Sequence, residues 1–152
     1  MSRAARFPLV VAIVLALAAC GGDDDSSSGG SSASPAEMIL TDAGLEICGE
    51  TQEQIAQSTI GSGFQGVRTF AVAEDCGGSE TSPNTIRVFQ FGNREAVDQG
   101  AANIETEYPR SVVLVSGALV IAVTGPDREA NADAVAGAYE DSTGEPVTTV
   151  SS

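Results

Sequence analysis

The chain of 152 residues contains no histidine and no tryptophan, and all seven of its basic residues are arginines. Without histidine or lysine, the chain alone excludes histidine-based triads, histidine metal sites, Schiff-base lysines and Walker lysines. Positive charge is also scarce, since seven basic against 21 acidic residues give a formal net charge of −14. Such a chain repels phosphate backbones, so we expect no nucleic-acid partner. The length fits a single domain with tails.

The first nineteen residues have the features of an export signal. Residues 1–6 carry two arginines and no acid, and residues 7–19 form the apolar run FPLVVAIVLALAA. A helix over these thirteen residues would span about 20 Å, less than the ~30 Å hydrocarbon core of a bilayer. A short membrane helix or a buried core helix is the alternative, but the basic start and the small residues at the end fit neither. The pattern therefore predicts a signal peptide over residues 1–19.

Leu17-Ala18-Ala19-Cys20 resembles the lipobox of bacterial lipoproteins, in which a leucine and two small residues precede a cysteine. The resemblance implies that Cys20 receives a diacylglycerol and that signal peptidase II cleaves before it. The mature chain would carry 5 arginines against 21 acids, a net charge of −16. Buried acyl chains contribute about 0.8 kcal/mol per CH₂, so two or three of them would hold the protein at a membrane. The implied location is the outer face of the cell membrane, or the periplasmic side in a two-membrane cell.

Residues 20–34 predict a flexible tether that follows the lipidated cysteine. The segment GGDDDSSSGGSSAS over residues 21–34 has no apolar residue larger than alanine, so it has nothing with which to form a core. Its Gly/Ser composition is typical of a coil with a root-mean-square reach of about 20 Å. Asp23, Asp24 and Asp25 lack the spaced ligands and closing glutamate of a calcium loop, so we predict no metal site.

Residues 35–140 predict one globular α+β domain. Ser34-Pro35-Ala36-Glu37 has the spacing of a capping box with proline at the first helical position, which predicts a helix through about Ala43. Hydrophobic periodicity and turn residues predict the other elements. The expected strands are 45–48, 67–73, 85–91, 111–115 and 118–123, and the further helices are 51–58, 93–108 and 127–139.

From residue 67 onward these elements follow the order β-β-α-β-β-α. The order predicts a small two-layer sandwich, in which a mostly antiparallel sheet carries two helices on one face. A ferredoxin-like arrangement is compatible with it, although strand order is not readable from the sequence. Residues 141–152 are predicted to be a disordered tail.

Once Cys20 is assigned to lipid, Cys48 and Cys76 remain as an even pair in an exported domain, which predicts a disulfide. The bond would close a loop of 29 residues, for which the chain-entropy model gives about 3.5 kcal/mol of stabilisation. The alternative is a nucleophilic or redox thiol. The chain has no C-x-x-C motif, and it lacks the histidine or lysine that commonly activates a thiolate.

No motif identifies a catalytic residue or a cofactor site. Residues 61–66 match G-x-G-x-x-G. The dinucleotide-binding fingerprint must follow a strand and open a helix, whereas these residues precede a predicted strand and open no helix. The five arginines beyond the leader are scattered, and we expect them to pair with acids. Paired carboxylates for acid–base work are available only because acids are abundant; the candidates are Glu74, Asp75, Glu80, Glu105, Glu107, Glu140 and Asp141.

Two function classes remain. The first is a non-catalytic, membrane-anchored binding or interaction module of the cell envelope, with a cationic or mixed-charge protein as its expected partner. The alternative is an extracytoplasmic carboxylate-based hydrolase or small-ligand-binding protein. Acids that face into a deep pocket would favour the alternative, and a shallow surface with an apolar or acidic patch would favour the first. In composition, the chain resembles small secreted actinobacterial lipoproteins of unassigned function.

Overall fold

The computed structural model describes residues 34–150, which form an α+β fold around one six-stranded antiparallel sheet. This confirms the predicted fold class and the mostly antiparallel sheet. The signal peptide, Cys20 and the tether up to residue 33 lie outside the described residues. Along the chain the elements are α1 (Pro35–Asp42), β1 (Glu46–Thr51), α2 (Gln57–Ile60), β2 (Phe64–Ala73), β3 (Asn84–Phe91), α3 (Arg94–Glu107), β4 (Val112–Ser116), β5 (Leu119–Thr124), α4 (Arg128–Thr143) and β6 (Thr148–Val150).

Helix starts and turns follow the local signals in the sequence. Ser34 caps α1, and Glu37 completes the predicted capping box. Asn93 caps α3 by accepting a hydrogen bond from the backbone N–H of Ala96 at 2.9 Å. The predicted hairpin joins β4 to β5, and its two-residue loop begins at Gly117 with a φ of 56°.

The helices are divided between the two faces of the sheet, which the adjacent residues of β5 make clear. Val120 and Ala122 pack in a core cluster with α3, whereas Ile121 and Val123 pack in a second cluster with α1 and α4. Helix α2 adds Ile60 to the α3 side. The prediction of a two-layer sandwich with two helices on one face is therefore wrong, because the described domain has three layers.

The strand order explains this arrangement. The order across the sheet is β1-β2-β3-β5-β4-β6, so α3 connects the parallel strands β3 and β4, and α4 connects the parallel strands β5 and β6. Both connections step in the same direction across the sheet, but they leave from strands that run antiparallel to each other. Because crossover connections are right-handed in nearly all proteins, the two helices belong on opposite faces. A ferredoxin-like sheet, with its helices on one face, differs from this layout.

Two further expectations need correction. The six-element order does not match the domain, which ends in a further strand, β6. Before residue 67, α1 and β1 lie where a helix and a strand were predicted, and the helix predicted over residues 51–58 is replaced by the shorter α2, Gln57–Ile60. The predicted disordered tail of residues 141–152 begins inside α4 and includes β6, which pairs with β4. In the connection between α4 and β6, the carbonyl of Pro146 accepts a hydrogen bond of 3.1 Å from the hydroxyl of Ser116. Strand β6 is formed because it satisfies the backbone groups along an otherwise unpaired edge of β4.

Cys48 and Cys76 form the predicted disulfide, with their sulfur atoms 2.09 Å apart and their Cα atoms 5.3 Å apart. Cys48 lies on β1 at a register shift between Ile47 and Gly49, and Cys76 lies in the link between β2 and β3. The bond therefore fixes the outermost strand to the link beside it. Over residues 34–150, no helix combines the length and apolar character that crossing a bilayer requires.

Candidate functional site

A cleft of about 560 Å³ lies between α1, α4 and the sheet, and we call it the α1–α4 cleft. Its floor consists of side chains from β2, β3 and β5, and α1 and α4 form its walls. The floor residues are Arg68, Ile86, Val88, Gln90, Leu119 and Ile121, and the wall residues include Ile39, Leu40, Val135 and Tyr139. The cleft lies on the face that both helices cover, so it is an interruption in the core packing of that face.

The floor runs along the strand direction from the core to the solvent. On β3, Ile86 is fully buried, Val88 is half-buried and Gln90 is exposed. These side chains share one face because residues two apart in a strand point the same way. The four-residue step from Ile86 to Gln90 covers about 13 Å at the rise of a strand. The floor of the cleft therefore extends along the strand and becomes exposed toward Gln90.

A missing side chain contributes to this exposure. Gly66 on β2 is paired with Gln90 across the ladder, so both positions share the face of the cleft floor. A Cβ placed on Gly66 would have no atom within 4 Å. Any larger residue at position 66 would therefore project into the outer end of the cleft.

The lining is mostly aliphatic. Tyr139 is the single aromatic residue among the residues that line the cleft, and none of them is acidic. Their polar side chains belong to Ser34, Arg68, Gln90, Tyr139 and Thr143. Such a surface favours an apolar ligand that is oriented by a small number of polar contacts.

Arg68 organises a polar group at the rim, which we call the rim cluster and which comprises Ser34, Glu37, Glu50 and Arg68. Its Nε and Nη2 donate to the two carboxylate oxygens of Glu50 at 2.7 and 2.9 Å. Nη2 also donates to Glu37 at 3.1 Å, and Nη1 donates to the hydroxyl of Ser34. The guanidinium lies 4.9 Å from the centre of the Phe70 ring. One side chain therefore connects β2, β1 and the start of α1.

The rim cluster has a net charge of −1, since two carboxylates surround one guanidinium. The hydrogen bonds to Glu50 raise the pKa of Arg68 above its usual value, despite opposition from burial. The hydrogen bonds from Ser34, first of all from its backbone N–H, lower the pKa of Glu37 below its usual value. Both groups are therefore charged at neutral pH, and the rim does not attract anions.

A second hollow, of about 480 Å³, is lined by three acids. Glu74, Asp75 and Asp127 line it with Asn84 and Asn131. Asp127 exchanges hydrogen bonds with Asn84 at 2.9 and 3.1 Å, which holds the start of α4 to the start of β3. Within residues 34–150, no group of three or more Asp, Glu, Cys or His side chains is arranged to hold a metal ion.

The remaining candidate acids are not brought to the cleft. Glu80, Glu107, Glu140 and Asp141 are exposed, and Glu105 is half-buried on α3, on the opposite side of the sheet. Glu140 accepts a hydrogen bond of 2.8 Å from the backbone N–H of Val147, so it orders the connection to β6. The structure therefore gives these carboxylates no shared site.

Two other sequence features have structural roles. The glycine-rich residues 61–66 lead from the end of α2 into β2. They precede a strand and open no helix, as predicted from the sequence. On the α3 face, Arg87 pairs with Glu53 at 3.1 Å and lies 4.6 Å from the centre of the Tyr108 ring. Burial raises the pKa of Tyr108 in this packed group. Arg68, Arg87 and Arg128 therefore pair with acids as expected, whereas within residues 34–150 neither Arg94 nor Arg110 forms an ion pair.

The residues of the α1–α4 cleft were not identified from the sequence, although one signal was present. Within the predicted strand 85–91, Ile86, Val88 and Gln90 lie two residues apart, which places them on one face of a strand. Nothing local predicted that α1 and α4 leave part of this face uncovered. No protein-family model, curated protein or solved structure matches the chain.

Proposed function

We propose that this chain is an exported, lipid-anchored protein of the cell envelope that acts by binding, without catalysis, and that the α1–α4 cleft is its binding site. The observation that carries the proposal is the cleft itself. Its volume of about 560 Å³ and its aliphatic lining with few polar groups are typical of sites for small apolar ligands. This function combines the first class predicted from the sequence, a binding module of the envelope, with small-ligand binding, which was part of the alternative class.

The chemistry around the cleft supports binding over hydrolysis. A carboxylate-based hydrolase needs an acid and a base or nucleophile that both face the substrate. No acidic side chain lines the cleft, and the two carboxylates of the rim cluster, Glu37 and Glu50, are both engaged by Arg68. Cys48 and Cys76 are joined to each other. The proposal therefore assigns the rim cluster to holding α1 against the sheet beside the cleft.

The anchoring part of the proposal rests on Leu17-Ala18-Ala19-Cys20 at the end of the apolar run. It is tested by expressing the native chain and Cys20→Ala and partitioning both between detergent and water. We expect the native chain in the detergent phase and the variant in the aqueous phase. Equal entry of both into the aqueous phase would reject the lipid anchor.

The acidic charge of the domain also supports binding to a protein partner. With a net charge of −16 after processing, obtained from 5 arginines and 21 acids, the domain favours a cationic or mixed-charge envelope protein as its partner. Such contacts weaken as salt increases, because the screening length is about 10 Å at 0.1 M. Crosslinking in the native envelope, at low and at high salt, would identify a partner of this kind.

The binding site is tested with the mature chain, residues 20–152, carrying Cys20→Ser so that no acyl chain is attached. Titration with Nile red, an uncharged apolar dye, is expected to give saturable binding at one site. Gly66→Leu should abolish this binding because its side chain enters the cleft. Gly137→Leu is the matched control, since Gly137 is exposed on α4, does not line the cleft and has no atom within 4 Å of an added Cβ. Equal binding by the two variants would place the dye site elsewhere.

A further inference from the structure

We infer that the ligand of the α1–α4 cleft is the single acyl chain of a lipid whose head group carries no negative charge. This inference rests on the proposed function and specifies the ligand class. Three features of the described residues support it. They are the shape and chemistry of the floor, the backbone hydrogen bonds that the floor strands already make with each other, and the charge of the rim cluster.

The floor fits an extended aliphatic chain. Ile86 and Val88 on β3 and Ile121 and Leu119 on β5 form two adjacent rows that run toward the opening, since Val88 pairs with Ile121 and Gln90 with Leu119. Contacts with such side chains are non-directional, so their strength increases with the apolar area that the ligand buries. A planar ring gains additional energy from offset or edge contacts with other rings. Tyr139 is the one ring that the lining offers.

The backbone of the floor is already satisfied, which disfavours a peptide. Strand β3 is paired along its length with β2 on one side and with β5 on the other. The floor therefore presents the face of a sheet and no strand edge. A peptide backbone placed in the cleft would leave its own N–H and C=O groups without partners, at a cost that an acyl chain does not incur.

The charge of the rim cluster bears on which head group the cleft accepts. The cluster lies along the β1–β2 side of the cleft, because Arg68 pairs with Val88, two residues from Gln90 at the exposed end of the floor. Arg68 uses four of its five N–H groups on Glu50, Glu37 and Ser34. An anionic head group would have to compete with two carboxylates for this guanidinium, and it would meet a net charge of −1. A neutral hydroxyl head group meets no such repulsion and can hydrogen-bond with Gln90, which lies at the exposed end of the floor.

The length of chain before the domain favours a membrane lipid as the source. Ser34 is both a rim residue and the fourteenth residue after Cys20. A Gly/Ser-rich segment of this length has a root-mean-square reach of about 20 Å. In a chain anchored through Cys20, the cleft would therefore remain close to a bilayer surface that contains acyl chains.

The test is competition with bound Nile red in the mature Cys20→Ser chain, where no attached lipid can compete. Monolauroylglycerol, laurate and pyrene are added below their aggregation limits at about pH 8, where laurate is ionised. We expect monolauroylglycerol to displace the dye at a concentration about tenfold or more lower than laurate, because juxtaposed like charges are strongly unfavourable. Pyrene should be the weakest competitor.

A charge variant then tests the role of the rim. In Glu37→Gln/Glu50→Gln, the competing carboxylates are removed, so the preference for monolauroylglycerol over laurate should disappear or reverse. Glu129→Gln is the control, because Glu129 pairs with Arg128 away from the cleft. A preference unchanged in the double variant, or displacement by laurate or pyrene but not by monolauroylglycerol, would overturn the inference while leaving the binding site in place. Failure of Nile red to bind at all would instead reject the proposed function.

Discussion

Arg68 on β2 donates a hydrogen bond of 3.1 Å to Glu37, which lies in the first turn of α1. The same guanidinium is bound to Glu50 on β1, so the pair belongs to a network that spans three elements. Because Ser34 also takes part, the start of α1 is held at the rim of the cleft. One arginine therefore connects one wall of the cleft to two strands of the sheet.

Arg68→Met should loosen α1 while keeping the apolar stem of the side chain. The Arg68 side chain is 35% exposed, so we expect a loss of stability on the order of 1 kcal/mol, as for partly screened ion pairs. Hydrogen exchange in residues 37–43 should accelerate more than exchange in α4. Arg128→Met is the control, since its partner Glu129 is 81% exposed and lies 3.6 Å away. Equal effects of the two variants would contradict the proposed role of Arg68.

Glu37 should give the domain an acid-sensitive contribution to stability. Its pKa is lowered in the folded state, chiefly by the backbone hydrogen bond from Ser34. The contribution is therefore complete well above the unfolded value of about 4.3 and is lost as pH falls through the lower folded value. Urea unfolding of the native chain and Glu37→Gln should differ most at neutral pH and converge in acid. Glu129→Gln controls for the loss of a carboxylate in the first turn of a helix. A difference that grows as the pH falls would contradict the stated direction.

Gly100 and Gly137 should respond in opposite ways to substitution by alanine. Gly100 is buried on α3, where an added Cβ would overlap the ring of Phe91. Overpacking costs about 1–3 kcal/mol, which exceeds the ~0.5–1 kcal/mol that alanine gains over glycine in a helix. Gly100→Ala should therefore lower the melting temperature. Gly137→Ala, on the exposed side of α4, should raise it, and a rise for both variants would show that α3 packs less closely on β3.

Removal of the disulfide should weaken the domain substantially. Cys48→Ser/Cys76→Ser should lower the free energy of unfolding by about 2–4 kcal/mol, which equilibrium urea denaturation can measure. Mass spectrometry of the freshly isolated, denatured but unreduced protein should detect no alkylated Cys48 or Cys76. Alkylation of both would mean that the bond is absent in the exported protein.

Local signals predicted most elements, but they did not predict how the helices are distributed. The apolar runs 111–115 and 118–123 predicted two strands, and the second, which has no polar interruption, indicated a strand that needs cover on at least one face. In β4, Val113 and Leu114 face opposite core clusters, so both faces of the sheet are buried there. The face that each helix covers follows from strand order through the handedness of the crossovers. Strand order is a long-range property, and no short segment of this sequence encodes it.

The cleft was less predictable than the fold because its residues come from five separate elements. Ser34 and Glu37 were recognised as a capping box, and the same residues also bind Arg68 in the structure. The importance of Gly66 depends on its pairing with Gln90, a contact between different strands. The sequence alone showed only a glycine before a strand. The end of the domain was misjudged for the same reason, since β6 is short and depends on β4 for its backbone partners.

The disulfide also bears on how the protein behaves in concentrated solution. Strand β1 is the outermost strand at one side of the sheet, and an exposed strand edge is a template for pairing between molecules. Here the link that carries Cys76 lies beside it: a Cβ on Gly49 would be 2.6 Å from the carbonyl oxygen of Glu80, and the backbone N–H of Cys76 donates to Glu46 at 3.0 Å. Reduction would release this link, so that the disulfide would no longer restrain the edge strand. An oxidising environment would therefore keep the domain monodisperse, and reducing buffers would favour its aggregation through β1.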